Sequence, residues 1–200
     1  MKLWDKKNSG NDKIIEFTVG DDRLNDLYLI KYDIIASISH AKMLYGSNLL
    51  SEIECDKIIN ILNEMLSLAE AGKLKIDKEF EDMHSKIEFT LIDKLGDIGK
   101  KIHTARSRND QVLVSIQLYL IDELNSIKKE VKSLFDLLIN LAKKNKDIIM
   151  PGYTHMKAAM PSSFGLWFSA YAETLIDDII SLNSTIEIIN QNTLGSAAGY

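Results

Sequence analysis

Two short stretches hold most of the side chains able to do chemistry in this 200-residue sequence. Arginine occurs only at 23, 106 and 108, and two of the three stand in the tripeptide Arg106-Ser107-Arg108, directly before Asn109 and Asp110. Lysine carries the rest of the positive charge. Arginine is then reserved for places where a planar fork of donors is useful, and that fork fits carboxylates and phosphates. The second stretch, residues 150–161, contains both prolines, Pro151 and Pro161, bracketing Thr154-His155. Histidine transfers protons near neutral pH, and a neighbouring hydroxyl can hold an anionic oxygen. His84 is a further candidate, standing either at the rim of a site or as a satisfied structural histidine. His40 and His103 read as structural. Four scattered histidines and one cysteine, Cys55, show no metal-ligand spacing.

The elements that must position these residues read as helices. Leu27, Ile30, Ile34, Ile38 and Ala41 predict a helix over residues 23–46, with residues 1–22 irregular. Ser51-Glu52-Ile53-Glu54 is a capping box, and its helix should stop at Gly72. A further helix is expected over 79–95. From residue 110 to 144 the apolar residues Leu113, Ile116, Leu120, Leu124, Ile127, Val131, Leu134, Leu138 and Leu141 alternate three- and four-residue steps, a sustained packing seam. Phe168, Ala172, Leu175, Ile179, Leu182, Ile186 and Ile189 repeat it. Two such helices should pack antiparallel in a bundle. Residues 150–161 then form the connector, read as an ordered loop. Pro151 ends the first helix and Pro161 sits in the first turn of the second. Such a connector is long for a bundle, and long ordered loops are often functional.

Composition narrows the classes. The chain is 46% hydrophobic and 26% charged, with net charge −5. No basic face stands out, so nucleic acid is not an expected partner. No apolar run approaches the roughly 20 residues that span a bilayer, and the polar start lacks the apolar stretch of a signal peptide. A single cysteine fits a reducing, cytoplasmic setting. Cys55 itself reads as an inert helix residue.

Three segments taken together, HTARSRNDQV at 103–112, MPGYTHMKAAMP at 150–161 and NTLGSAAGY at 192–200, closely resemble the argininosuccinate lyase family of the fumarase/aspartase superfamily. LWDK near the start, FTVGDDRL at 17–24, DIIASISHAKML at 33–44 and EDMHSKIE at 81–88 extend the resemblance over essentially the whole chain. It implies an all-α fold, with a small N-terminal helical domain over 1–107 and the first part of a long-helix bundle domain over 108–200. It implies a cytoplasmic homotetramer whose active sites are shared between subunits, acting on a small-molecule substrate without metal or organic cofactor. The implied reaction is β-elimination of argininosuccinate to arginine and fumarate, in arginine biosynthesis.

The family's motif makes His155 the proton-transfer residue, acid or base. It places Arg108, Asn109 and Thr154 on the substrate, with His84, Arg106 and Ser107 as supporting residues. Departures from the usual pattern are Ala36 and Ala105 for glycine, Lys157 for glutamine and Thr193 for proline. Family members continue about as long again beyond Gly199 and carry there the loop whose serine is the base. The chain is therefore expected to be an N-terminal portion, poorly active alone. Two other readings stand beside this one. Another superfamily lyase, such as adenylosuccinate lyase, is disfavoured by HTARSRND. A non-catalytic helical assembly protein would also use the apolar seams.

Overall fold

The computed structural model describes residues 12–194, with side chains from Glu16 onward. The first and last motif stretches, LWDK and residues 195–200, lie outside the described residues. The chain divides into two compact units, residues 1–119 with 192–200 and residues 120–191.

The first unit is helical. Its elements are α1 (Asp12–Val19), α2 (Asp22–Gly46), α3 (Glu52–Glu70), α4 (Met83–Leu95), the single turn α5 (Asp97–Lys100), a 3-10 turn over Lys101–His103, and the start of α6 (Arg108–Lys144). The expectation of irregular chain before residue 22 is corrected by α1, which ends where Gly20 adopts a positive φ and its N–H reaches Glu16 O at 3.0 Å. Along α2, Ile30, Ile34, Ala41 and Leu44 are buried, spaced i, i+4, i+11 and i+14 on one helical face. They pack against Ile58, Leu62 and Met65 of α3, Met83, Ile87 and Leu91 of α4, and Ile102. Full burial of each such side chain is worth about 1.5–3 kcal/mol against exposure, so this cluster is what holds the three long helices together. The α3 cap forms as its sequence requires. Ser51 Oγ accepts from Glu54 N at 3.3 Å, and Glu54 Oε2 accepts from Ser51 N at 3.0 Å. Gly72, at φ +65°, follows the helix end.

Helix α4 begins at Met83 rather than at 79, because three side chains fix its entry. Asp82 caps it, accepting from Ser85 N at 2.7 Å. Asp26 of α2 accepts from Met83 N at 2.8 Å. Arg23 donates to the carbonyls of Phe80 and Lys78, at 2.7 and 3.1 Å, and so holds residues 78–80 outside the helix. Burial pushes the Asp26 carboxyl up to about 6, against the opposing Met83 N–H bond.

The second unit contains α6 from residue 120, strands β1 (Ile149–Thr154) and β2 (Lys157–Ser163), and α7 (Phe164–Ile189). Gly165 lies against Ala142 and Lys146, and Lys128 Nζ donates to Asn183 Oδ1 at 2.6 Å, so the two helices run antiparallel. The expected ordered loop is corrected to an antiparallel β-hairpin. Pro161 lies in β2, opposite Pro151, and not in the first turn of α7. Proline has no N–H for a ladder, and pairing the two with each other confines that loss to one rung. Helix α7 starts later, with Ser163 Oγ accepting from Leu166 N at 3.1 Å. The hairpin turns through His155 and Met156 alone, since Thr154 pairs with Lys157. Both turn residues have positive φ, +47° and +64°, the handedness that matches strand twist but that side chains resist.

Further along the pair, the facing sides of α6 and α7 form a cleft of about 490 Å³ walled by Val131, Phe135, Leu175 and Ile179. Leu137, Trp167, Tyr171 and Ile180 are exposed on these helices. Among the described residues, no helix is long and apolar enough to cross a membrane.

Two stability measurements check this description. A Cβ at Gly99 would stand 2.3 Å from Leu91 O, a backbone atom, so Gly99→Ala should lower the unfolding free energy by about 1–3 kcal/mol in denaturant titration. Met156 is 98% exposed at positive φ, so Met156→Gly loses no packing and should raise it by about 1 kcal/mol.

Candidate functional site

The turn before α6 is built by reciprocal capping. Ser107 N donates to Asp110 Oδ2 at 2.7 Å, and Ser107 Oγ accepts from Asn109 N at 3.2 Å. The Asp110 carboxylate is thereby committed to the cap. Ala105 stands at φ +53°, which is the physical reason a glycine suits this position. His40 Nε2 meets Thr104 O at 3.0 Å and steadies the turn from α2. Burial, and then the nearby Arg106 charge, hold the His40 imidazole below its usual range.

The two guanidiniums are drawn inward. Arg106 Nη1 donates to Ser37 Oγ at 2.9 Å, across 69 residues of sequence. Arg108 Nη2 reaches Ser85 Oγ at 3.5 Å, and its Nη1 lies 3.8 Å from Asp82 Oδ1. Arg106 Nε and Arg108 Nη1 are buried without a hydrogen-bond acceptor. Buried donors are nearly always paired, so these two are poised for anionic oxygens, and the N-terminal end of α6 adds its dipole in the same sense. A cavity of about 550 Å³ opens here, lined among others by His40, Ala105, Arg106, Asp110, Gln111 and Asn192. It brings the start of the 192–200 segment to the 103–112 segment.

His84 is buried at the start of α4, with Nδ1 2.7 Å from Asp33 Oδ2. Asp33, fully buried on α2, was missed in the sequence. So were Ser37 and Gln111, which are buried as well. A signal was available, since Asp33 and Ser37 fall on the same helical stripe as Ile30, Ile34 and Ala41, where a soluble helix keeps apolar residues. Burial pushes the Asp33 carboxyl up to about 6, while Arg106, Arg108 and Gln111 pull it down. The Arg106 guanidinium is lowered by burial, against the opposing charges of Asp33, Glu88 and Asp110. The first unit thus brings together His84, Arg106, Ser107, Arg108 and Asn109.

Thr154 and His155 belong to the second unit, at the exposed tip of the hairpin. The bulge between Pro151 and Tyr153 centres on Gly152, where a Cβ would stand 2.9 Å from Met160 O. The paired strands and the two-residue turn place His155 at φ +47°. Among the described residues, no cluster of three or more His, Cys, Asp or Glu side chains could hold a metal ion. Cys55 is buried, bonds Ala41 O at 3.5 Å, and has its thiol pushed up by burial, so it is not a poised nucleophile.

The chain matches the protein family described as Lyase over residues 9–200. It is 49% identical over its whole length to an argininosuccinate lyase of Phocaeicola vulgatus, and 47% identical to one of Thermotoga neapolitana. It spans 45% and 50% of those relatives' own lengths. Among solved structures, a fumarate lyase:delta crystallin from Brucella melitensis aligns with TM-score 0.75 at 18% identity, over 92% of this chain and 46% of that one. EDDS lyase in complex with formate aligns with TM-score 0.73 at 24% identity, over 86% of this chain and 35% of that one. These likenesses show a mostly helical portion of the fumarase/aspartase fold. With the family matched over nearly every residue and the capped Arg-Ser-Arg-Asn turn in place, the chain belongs to the Lyase family and is similar along its whole length to argininosuccinate lyases.

Proposed function

We propose that this chain carries part of the active site of an argininosuccinate lyase, which cleaves argininosuccinate to arginine and fumarate. The observation that carries the reading is the pair of buried, acceptor-free guanidinium donors at the capped start of α6. In the elimination, a base removes a proton from the carbon beside a carboxylate. The electron pair becomes the fumarate double bond as the carbon–nitrogen bond to the guanidino group breaks, and a proton goes to the leaving nitrogen. Negative charge builds on the carboxylate between these events. Donors fixed in advance around that charge supply most of the available stabilisation.

Arg108 and Asn109 are the groups we assign to the substrate carboxylate. Thr154 donates its hydroxyl to a substrate carboxylate oxygen, and the His155 imidazolium gives its proton to the leaving nitrogen. Arg106 and Ser107 hold the turn, and His84 supports the cationic side. The base belongs, by the resemblance, to the part of the relatives' length that this chain does not span. We assign residues 1–107 to a helical domain and 108–200 to the bundle domain of a cytoplasmic homotetramer, with active sites completed between subunits. The exposed apolar side chains of α6 and α7 support that assembly, since large contiguous apolar patches mark interfaces.

Two experiments test this. In a chain extended to the full length of its relatives, His155→Gln should lower kcat by at least about 100-fold, read as fumarate absorbance. It should shift the unfolding free energy by less than about 0.5 kcal/mol. Turnover left intact removes His155 from the chemistry. Sedimentation of the 200-residue chain at micromolar concentration should show self-association, and a stable monomer contradicts the bundle assignment.

A further inference from the structure

Asp33 has no role in the chemistry described above, yet it is the most deeply buried acid of the first unit. Its surroundings are unusual in composition. Oδ2 meets His84 Nδ1 at 2.7 Å, and Oδ1 is buried without a hydrogen bond. The main charges acting on it are Arg106, Arg108 and Asp82, with Gln111 bonded alongside and Asp26 of its own helix adding a weaker repulsion. Apart from Asp26, these partners belong to the 81–88 or the 103–112 segment. None belongs to the apolar cluster that holds α2, α3 and α4 together. A helix stripe needs no acid to pack, and a whole buried ion pair can often be replaced by apolar residues of similar volume without loss of stability. Packing therefore does not explain an aspartate here.

We propose that Asp33 is a positioning residue for the candidate site: its buried carboxylate fixes the tautomer and ring orientation of His84. With Nδ1–H donated to the carboxylate, Nε2 is the ring nitrogen left for a ligand, as acceptor when neutral and second donor when protonated. The same negative charge acts on Arg106 and Arg108 without bonding either, and their own hydrogen bonds go to Ser37 and Ser85. Only the link to turnover rests on the lyase reading.

Histidine-labelled chain, 200 residues long, gives a direct readout. At pH 8, the nitrogen shifts of His84, assigned by their loss in His84→Gln, should show the proton on Nδ1. A proton on Nε2 overturns the proposal whatever reaction the protein performs. In a chain extended to the length of its relatives, Asp33→Asn removes the charge with little change of volume. It should reduce kcat/KM for argininosuccinate by about tenfold or more, since small misplacements of binding groups are costly. The fall should come mainly from KM and persist well below the melting temperature, which the loss of the buried counter-charge lowers. A lowered melting temperature with kcat/KM intact in the folded protein means that Asp33 is structural, and overturns the proposal. Absence of any fumarate formation by the unsubstituted protein defeats the lyase reading instead and leaves the His84 result standing.

Discussion

A carboxylate buried among cations is the interaction on which the first unit's site depends. Asp33 on α2 touches His84 on α4 and lies with the two arginines that lead into α6. A charge removed from water is expensive unless paired, and burial raises this acid to about 6 even against the pull of Arg106, Arg108 and Gln111. The neighbouring guanidiniums and the His84 ring offset that cost. The demand runs the other way too, because two arginines drawn below the surface need a counter-charge. Three segments far apart in sequence are thereby required to meet, and the apolar cluster of α2, α3 and α4 sets where they do.

The entry to α4 shows how such a meeting is arranged. Arg23 and Asp26 lie within one turn of each other on α2. One grips the carbonyls of Lys78 and Phe80, the other the N–H of Met83. Together they end the loop and start the helix at a fixed place, which sets His84 one residue further on, opposite Asp33. A cap of modest individual value, about 1 kcal/mol, acquires a larger consequence because a buried ion pair is registered by it.

The second unit solves its positioning problem with the backbone. A two-residue turn with positive φ at His155 and Met156 is strained for non-glycine residues, by roughly 1–2 kcal/mol each. Strain of this kind persists only where the surroundings over-determine it, and it clusters at functional positions. Here the hairpin ladder, the bulge at Gly152 and the paired prolines supply the determination. The result is a histidine held at a tip, exposed, with little freedom in its main chain.

What the sequence by itself determined was local. The capping box at Ser51 and Glu54, the stop at Gly72, the long periodic helices and the chemical character of the Arg106–Asn109 turn were all legible, because each depends on residues within a few positions of one another. The start of α4 was misplaced by four residues, since beside the local cap Asp82 the side chains that fix it, Arg23 and Asp26, lie more than fifty positions away. The connector was read as a loop because two prolines argue against a ladder until they are seen opposite each other, a matter of register. Asp33 was visible as an acid on an apolar stripe, but only tertiary structure decided its partner. A carboxylate's neighbours across 51 residues are chosen by how helices pack, and no local pattern encodes that choice.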